Sequence, residues 1–116
     1  MSDYMIYHNP RCSKSRNTLA LLLEKGVQPE IVLYLDSAPD AREITVLLAK
    51  LGLRASELVR RGEQEYKDCG LSSDSSDEAV LTAMAQHPKL IERPIVVRGE
   101  RAVLGRPPEN VLGLLD

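Results

Sequence analysis

One cysteine, Cys12, lies in a basic stretch of this 116-residue chain and is the first candidate for chemistry. Arg11, Lys14 and Arg16 surround it, and residues 4–23 contain no acidic side chain. Cys12 follows a β-prone run and a turn, at the predicted start of a helix. A helix N-terminus offers unpaired backbone N–H groups and a partial positive charge, which favour a thiolate over a thiol. The stretch therefore predicts an activated nucleophile.

The spacing around Cys12 excludes several kinds of thiol chemistry. A C-x-x-C dithiol centre needs a second cysteine at position 15, where Ser15 stands. A cysteine phosphatase loop closes with an arginine six residues after the cysteine, and that position is Thr18. The two cysteines and two histidines of the chain lack the spacing of a zinc site. A C-x-x-S monothiol centre remains, and on this motif alone a structural role for Cys12 stays open.

The second cysteine, Cys69, has a contrasting setting. It is predicted to lie at the end of a helix, where the dipole is negative, with Glu65 and Asp68 nearby in the sequence. These conditions discourage a thiolate, so we expect a structural or incidental role. His87 precedes a proline and is predicted to be the last residue of a helix and not a catalytic base.

Composition limits the possible classes of function. With 43% hydrophobic and 28% charged residues, the chain is predicted to form one domain over residues 1–116. A formal net charge of -2 gives no global reason to bind nucleic acid. The apolar run Leu19 to Leu23 is far shorter than the roughly 20 residues of a membrane-spanning helix, and no leader precedes it. Because two cysteines make no disulfide framework, we expect a soluble, cytoplasmic protein.

The first third of the chain predicts a βαβ unit that positions Cys12. Tyr4 to Tyr7 is a β-prone run, and a helix is expected from residue 12 or 13 to residue 26. The continuous apolar run Ile31 to Leu35 predicts a central strand covered on both faces. Strand, helix and strand of this length should give two parallel strands with a right-handed crossover. Cys12 would then lie in the loop between the first strand and the helix.

The remaining chain predicts a helical insertion followed by a hairpin and a last helix. Apolar residues at positions 44, 47, 48 and 51 indicate an amphipathic helix, and further helices are predicted over residues 56–67, broken at Gly62, and over 78–86. Strands over 95–97 and 102–104 flank a two-residue turn that begins with Gly99. Pro107 and Pro108 can open the last helix. This order predicts an α/β, thioredoxin-like fold, βαβ then ββα, with a helical insertion in the middle.

Four segments together resemble a known family, the glutaredoxin-coupled arsenate reductases or ArsC family, and particularly its short YfgD-like branch. The segments read "IYHNPRCSKSRNTL", "ELVRRGEQEYKDCGL", "HPKLIERPIVV" and "LGRPPENVL", and they cover nearly the whole chain in order. The resemblance implies a thioredoxin-like fold in which Cys12 is the nucleophile. It also implies three arginines that hold the oxyanion, at Arg60, Arg93 and Arg106.

The resemblance implies supporting roles for further residues. His8, Asn9, Ser15 and Arg16 match positions before the loop and at the helix start, and Pro94 is expected in the cis form facing the thiol. Arsenate is a tetrahedral dianion near neutral pH. The planar fork of arginine gives paired, charge-assisted hydrogen bonds to such oxygens, whereas lysine gives a point charge. The predicted arginines therefore suit the predicted substrate.

The activity that the resemblance implies is reduction of arsenate to arsenite, in arsenic detoxification. Cys12 would form a covalent bond to arsenic, with glutathione as co-substrate and glutaredoxin as the partner that reduces the adduct. An external thiol is needed because no second enzyme thiol lies next to Cys12. No bound cofactor, metal, nucleic acid or membrane partner is expected.

The loop differs from the arsenic-operon enzymes, and two other functions stay open. Those enzymes read "ACGTS", where this chain has Arg11, Ser13 and Lys14 within "RCSKS". One alternative is a glutathione-linked monothiol reductase or redox sensor that does not act on arsenate. The other is an Spx-like protein that binds RNA polymerase, although Ser15 removes the C-x-x-C switch that is usual there.

Overall fold

A four-stranded sheet is the frame of the part of the chain that contains Cys12. In the computed structural model, which describes residues 3–115, the strands are β1 (Tyr4–Tyr7), β2 (Glu30–Val32), β3 (Ile95–Arg98) and β4 (Arg101–Leu104). Their order is β2-β1-β3-β4. β1 and β2 are parallel, whereas β1 with β3 and β3 with β4 are antiparallel. The predicted α/β class and the parallel pairing of the βαβ unit are confirmed.

Helix α1 (Ser13–Glu24) connects β1 to β2 and buries an apolar face against the sheet. A 3₁₀ helix, Pro108–Leu114, packs against α1 and β4 at the position of the predicted last helix. Removing apolar surface from water stabilises this arrangement by roughly 25 cal/mol for each Å² buried. The core cluster draws on both helices and two strands and consists of Ile6, Leu22, Val96, Val111 and Leu114.

The β3–β4 hairpin confirms the predicted two-residue turn. Gly99 and Glu100 connect the strands, and Arg98 pairs with Arg101. Gly99 has φ +60°, which a residue with a Cβ atom rarely adopts. A glycine at the first position is what the tight turns favoured in hairpins require.

The predicted helical insertion is confirmed and lies between Ser37 and Arg93. Its helices are α2 (Ala41–Leu51), α3 (Ala55–Leu58), α4 (Gln64–Asp68), α5 (Asp77–Gln86) and a 3₁₀ turn, Pro88–Leu90. Asp40 begins α2 by accepting a 2.8 Å hydrogen bond from the amide of Glu43, and Ser76 begins α5 in the same way. α5 packs against α2 and α3. Buried apolar residues of these three helices include Ile44, Leu47, Leu58, Val80 and Met84.

The prediction of a central strand over Ile31 to Leu35 was wrong. β2 ends at Val32 and lies at the edge of the sheet. The chain turns at Leu33, whose carbonyl accepts hydrogen bonds from the amides of residues 36 and 37, both at 2.9 Å. Ile31 is 49% exposed, and within the turn only Tyr34 is buried. A short apolar run does not by itself distinguish a buried strand from an exposed edge with a turn.

The helical region predicted over residues 56–67, with a break at Gly62, is confirmed, but its break is longer than predicted. It is divided into α3 and α4, and the break extends from Val59 to Glu63 and is not confined to Gly62. Val59 forms an isolated antiparallel bridge with Ile91, and the amide of Arg60 donates a 2.7 Å hydrogen bond to Leu90. Because Val59 and Arg60 pair with Ile91 and Leu90, they do not continue the helix.

The chain divides into two compact units. The first, called the sheet unit, comprises residues 3–37 and 93–115 of the described chain, and the second, called the helical unit, comprises residues 38–92. The single domain over residues 1–116 stays a prediction. Between residues 3 and 115, no helix is both long and apolar enough to cross a membrane.

Candidate active site

Strand register brings several connecting segments to one end of the sheet. Tyr7, the last residue of β1, pairs with Val32 at the end of β2 and with Ile95 at the start of β3. Ile95 pairs in turn with Leu104 at the end of β4. The segments that follow β1, β2 and β4 and the one that precedes β3 therefore meet at this end. They contain Cys12, residues 33–36, Arg106 and Arg93, in that order.

Cys12 occupies the N-cap position of α1, as the sequence predicts. It is half-buried, with extended backbone angles, and its amide donates a 3.0 Å hydrogen bond to the carbonyl of Asn9. The carbonyl of Cys12 accepts the first hydrogen bond of the helix, from Arg16. The first turn of α1 contains no acidic residue that would offset the positive end of the helix.

The surroundings of Cys12 lower the pKa of its thiol. Burial is the largest single influence and raises the pKa. The amide of Ser15, the Arg93 side chain and the amide of Lys14 all interact with the sulfur and lower the pKa, as does the positive charge of Arg93. These amides favour the thiolate because an N–H group stabilises a negative charge on the sulfur. The lowering influences together exceed the effect of burial.

Ser15, in the first turn of α1, forms hydrogen bonds with the loop that precedes Cys12. Its side chain is fully buried, and its Oγ lies 2.6 Å from Nδ1 of His8 and accepts a 3.0 Å hydrogen bond from the amide of Asn9. A buried hydroxyl proton needs an acceptor. Within residues 3–115 the acceptor recorded for it is Nδ1 of His8, so His8 is neutral and carries its proton on Nε2. Burial first, and then the charge of Arg16, lowers the pKa of His8 in agreement with this assignment.

Arg16 and Asn9 also hold the loop in place. Nη1 of Arg16 donates a 3.0 Å hydrogen bond to the carbonyl of Pro10, and Oδ1 of Asn9 accepts one of 3.0 Å from the amide of Arg11. Together with Ser15, these contacts fix the backbone on either side of Cys12. The four predicted supporting residues His8, Asn9, Ser15 and Arg16 thus all lie in the thiol loop or at the start of α1.

Arg93 and Arg106 flank a tight contact between the start of β3 and the end of β4. The amide of Gly105 donates a 2.9 Å hydrogen bond to the carbonyl of Pro94, and its carbonyl accepts one of 3.0 Å from Oγ1 of Thr18. A Cβ atom at Gly105 would lie only 2.6 Å from Oγ1 of Thr18 and 2.9 Å from Cγ of Pro94. The backbone can approach this closely only because residue 105 is a glycine.

Arg93 and Arg106 lie close to each other, and Arg93 also reaches the thiol loop. Nη1 of Arg106 lies 3.4 Å from the carbonyl oxygen of Arg93, and the Arg93 side chain reaches Cys12. The peptide bond before Pro94 is cis, as the resemblance implies, and so is the bond between Arg106 and Pro107. That Pro94 faces the thiol stays a prediction.

Arg60 belongs to the helical unit and has two carboxylate partners there. Its Nη1 donates a 2.7 Å hydrogen bond to Oε1 of Glu92, and its Nε lies 3.4 Å from Oε1 of Glu63. The second distance allows an ion pair, but the Nε–H is not aligned for a hydrogen bond. All three side chains are about a quarter exposed, so solvent screens the pairs. Arg61, one place along, is exposed.

The side chains that could bind a metal are dispersed. Among the described residues there is no cluster of three or more histidine, cysteine, aspartate or glutamate side chains suited to a metal ion. Both cysteines are free thiols. The arrangement around Cys12 suits attack by a thiolate on a group that carries negative oxygens, because both backbone amides and an arginine interact with the thiol.

The match to a family model agrees with this geometry. The model of the ArsC family matches residues 7–114, which include the thiol loop and every arginine considered above. The chain belongs to the ArsC family. The resemblance noted in the sequence is thereby confirmed.

Relatives and solved structures of the ArsC family match almost the whole chain. The protein YfgD of Escherichia coli K12, described as uncharacterized, is 54% identical over 112 residues, which are 95% of this chain and 94% of YfgD. An arsenate reductase of Neisseria meningitidis serogroup A is 45% identical over 117 residues, 99% of this chain and 100% of the relative. A solved arsenate reductase from Vibrio cholerae superposes with a TM-score of 0.91 at 50% identity, covering 95% of both chains. The thioredoxin-like fold is confirmed.

Two residues that contact the predicted site segments have no signal in the sequence pattern. Thr18 is fully buried and bonded to Gly105. Glu92 pairs with Arg60 across 32 positions of sequence. Neither residue belongs to a periodic pattern. The short "LGRPP" segment was the available signal for Gly105, because a glycine at the end of a strand and beside a predicted site arginine indicates close packing.

Proposed function

We propose that this ArsC-family chain is an arsenate reductase that uses glutathione as co-substrate and glutaredoxin as the reducing partner. The observation that carries the proposal is the lowered pKa of Cys12, caused by helix-end amides and by Arg93 in opposition to burial. A thiolate that faces arginine is suited to an oxyanion whose central atom accepts a nucleophile. The names of the relatives in Neisseria and Vibrio support arsenate as that oxyanion.

In the first proposed step, the sulfur of Cys12 attacks arsenic. One S–As bond forms and one As–O bond breaks, and the departing oxygen leaves as water after taking up protons from the solvent. Arsenic stays pentavalent. Arg93 and Arg106 would bind the remaining oxygens, whose negative charge is greatest as the fifth bond forms. Arg93 would thus serve twice, by stabilising the thiolate before attack and the oxyanion during it.

The reduction itself would follow in two further steps. Glutathione displaces a second arsenic oxygen as water, giving an adduct in which arsenic joins Cys12 and the glutathione sulfur. The glutaredoxin thiolate then attacks that glutathione sulfur, and the S–As bond breaks with both electrons left on arsenic. Arsenic becomes trivalent while the two sulfurs form a mixed disulfide. Water finally displaces Cys12 and arsenite leaves.

Arg60 is proposed as the third oxyanion-binding arginine on the family resemblance. Its guanidinium has five N–H donors, and its Nε and one Nη1 proton face Glu63 and Glu92. Its Nη2 group would then bind the anion. The two carboxylates would orient the guanidinium and also reduce its net attraction for negative charge.

A coupled assay tests the proposal. The purified protein is mixed with glutathione, glutaredoxin, glutathione reductase and NADPH, and the absorbance of NADPH is followed after arsenate is added. We expect consumption that requires arsenate and glutaredoxin and is absent with sulfate in place of arsenate. If NADPH is not consumed when arsenate is added, arsenate is not the substrate. If NADPH is consumed without glutaredoxin, glutaredoxin is not the reducing partner.

The proposed reaction also indicates the cofactor and the compartment. Every electron comes from thiols, so we propose that no cofactor or metal is bound. Because the reaction consumes reduced glutathione, we propose a cytoplasmic location, where thiols stay reduced.

The alternative of a glutathione-linked monothiol reductase or redox sensor is favoured by the same thiol. The amides and Arg93 that stabilise the Cys12 thiolate would stabilise it for any electrophile. Mass spectrometry after treatment with oxidised glutathione distinguishes which thiol takes part. Modification of Cys12 together with an inactive arsenate assay would favour this alternative, and modification confined to Cys69 would contradict both enzymatic functions.

A further inference from the structure

A cleft of about 300 Å³ opens beside the thiol loop and has no role in the steps above. One wall is the loop segment from His8 to Arg11, which leads directly into Cys12. The opposite wall is the turn after β2, contributed by Leu33, Leu35 and Asp36. Ligand clefts in proteins are commonly about 300 to 1,000 Å³, so the volume suits a small molecule.

Two side chains of opposite charge line the cleft, and within residues 3–115 neither forms an ion pair. Arg11 and Asp36 both line it. Within residues 3–115 neither side chain is recorded in a hydrogen bond or an ion pair, although the backbone amide of Arg11 donates to Asn9 and that of Asp36 to Leu33. The guanidinium and the carboxylate do not pair with each other across the cleft. Both are therefore available to a ligand that carries a negative and a positive group.

The same two walls also supply apolar contact and a hydrogen-bond donor. Leu33 and Leu35 are each 40% exposed, and both belong to the apolar run that the sequence pattern predicted to be a buried strand. His8 has its Nδ1 bonded to Ser15, so Nε2–H is the group it can offer to a ligand carbonyl. A peptide-like molecule with methylene groups, a carbonyl and two charged ends matches this set of groups.

We propose that this cleft binds the thiol co-substrate, a small peptide thiol of the glutathione class, with a carboxylate on Arg11 and the amino group on Asp36. The inference rests on the proposed function, because that reaction needs an external thiol beside Cys12. Arg11 precedes Cys12 in the chain, so a thiol held here lies at the loop that carries the nucleophile. Arg11, which differs from the alanine of the arsenic-operon enzymes, thereby becomes a recognition residue for the co-substrate.

The direct test is binding of S-methylglutathione, which cannot react, to the full chain with Cys12→Ser. Backbone and methyl NMR signals are followed during the titration. We expect saturable shifts at Leu33 and Leu35. In Arg11→Gln and in Asp36→Asn the dissociation constant should rise about two- to fivefold each, the effect of an exposed charge contact. The matched controls Arg101→Gln and Asp74→Asn, which alter the same charges elsewhere, should leave it unchanged.

S-methylated truncated thiols, which cannot react, assign each charge to its partner in the same NMR titration. S-methylmercaptopropionate has the carboxylate alone and S-methylcysteamine has the amino group alone. Arg11→Gln should weaken the binding of S-methylmercaptopropionate and spare that of S-methylcysteamine, and Asp36→Asn should do the reverse. Absence of saturable shifts at the cleft, or equal binding by all variants, overturns the inference. An inactive arsenate assay with cleft binding intact would instead overturn the proposed function alone.

Discussion

The two cysteines of this chain have the same covalent chemistry and opposite positions on their helices. Cys12 precedes the twelve-residue helix α1, with backbone amides and Arg93 around its sulfur. Cys69 follows the five-residue helix α4, its amide bonded to the carbonyl of Glu65 and its neighbour in sequence being Asp68. Both side chains are half-buried and free. Accessibility therefore does not distinguish them, and position on the helix does.

The comparison indicates how this fold makes a thiol reactive. A helix start provides N–H groups and positive potential, and a helix end provides carbonyls and negative potential. The antiparallel register of β1 and β3 adds Arg93 to the first position from a segment about 80 residues away in sequence. Reactivity in this account comes from the meeting of a local feature, the helix start, with a long-range one, the strand register.

The largest expected effect is the difference in activity between the two variants that replace one cysteine each. Cys12→Ser should lower arsenate-dependent NADPH consumption by a thousandfold or more, roughly the effect of removing a covalent nucleophile. Cys69→Ser should change it by less than about twofold, as expected for a residue outside the site. Steady-state rates of the two variants in the coupled assay measure the difference. Comparable losses in both variants would show that helix position does not determine which thiol acts.

The second prediction removes the long-range part of the Cys12 environment. Arg93→Gln should raise the pKa of Cys12, because one hydrogen bond and one positive charge that stabilise the thiolate are lost. It should also lower kcat/KM for arsenate by about 10- to 100-fold, the usual effect of losing a hydrogen bond to a charged group. Arg101→Gln, at the hairpin tip, is the control for charge. An unchanged kcat/KM in Arg93→Gln would confine the site to the thiol loop.

The third prediction concerns the packing behind Arg93. Gly105→Ala places a methyl group within 3 Å of Thr18 and Pro94, so it should lower the free energy of unfolding by about 1–3 kcal/mol. Gly113→Ala meets no atom within 4 Å and should change it by less than about 0.5 kcal/mol. Urea denaturation of both variants measures the difference. Equal free energies of unfolding would show that Gly105 is not tightly packed against Thr18 and Pro94.

The fourth prediction tests the buried hydroxyl that joins helix and loop. Ser15→Ala leaves Nδ1 of His8 and the amide of Asn9 without their partner, at a cost of roughly 1–2 kcal/mol in unfolding free energy. Ser13→Ala, exposed in the same helical turn, is the matched control. NMR of the His8 ring should show the Nε2–H tautomer in the wild type. An Nδ1–H tautomer would contradict the assigned direction of the hydrogen bond.

Local patterns in the sequence predicted much of this site, and long-range contacts account for what they missed. The start of α1 at Ser13 and the turn at Gly99 follow from residue type and spacing. The break within the predicted helical region 56–67 is longer than Gly62 alone because Val59 pairs with Ile91. A pairing at that separation is set by the folded chain and has no signature in either segment alone.

The cleft beside the loop illustrates the same limit. Leu33 and Leu35 were predicted to be buried strand residues, since apolar runs usually are. The chain turns there because two amides bond to one carbonyl, and the leucines come to line a cleft with Arg11 and Asp36. The family resemblance supplied candidate arginines, but the carboxylate partners of Arg60 were found only in the folded chain.

The direction in which folding shifts the pKa of the Cys12 thiol determines how the stability of the folded chain changes with pH. Because folding lowers this pKa, ionisation of Cys12 adds stability above the ordinary thiol pKa of about 8.5. That contribution disappears as the pH falls through the lowered value. The reactivity of Cys12 also falls as the pH falls, since the thiolate is the nucleophile.

Titration of the Cys12 thiolate by ultraviolet absorbance, in Cys69→Ser protein with and without arsenate, is the most direct test of this account. It predicts a midpoint below that of an unperturbed thiol, together with a loss of the thiolate signal when arsenate is added. A midpoint at or above that value, or a titration that arsenate leaves unchanged, would contradict the claim that Cys12 is a thiolate prepared for an oxyanion.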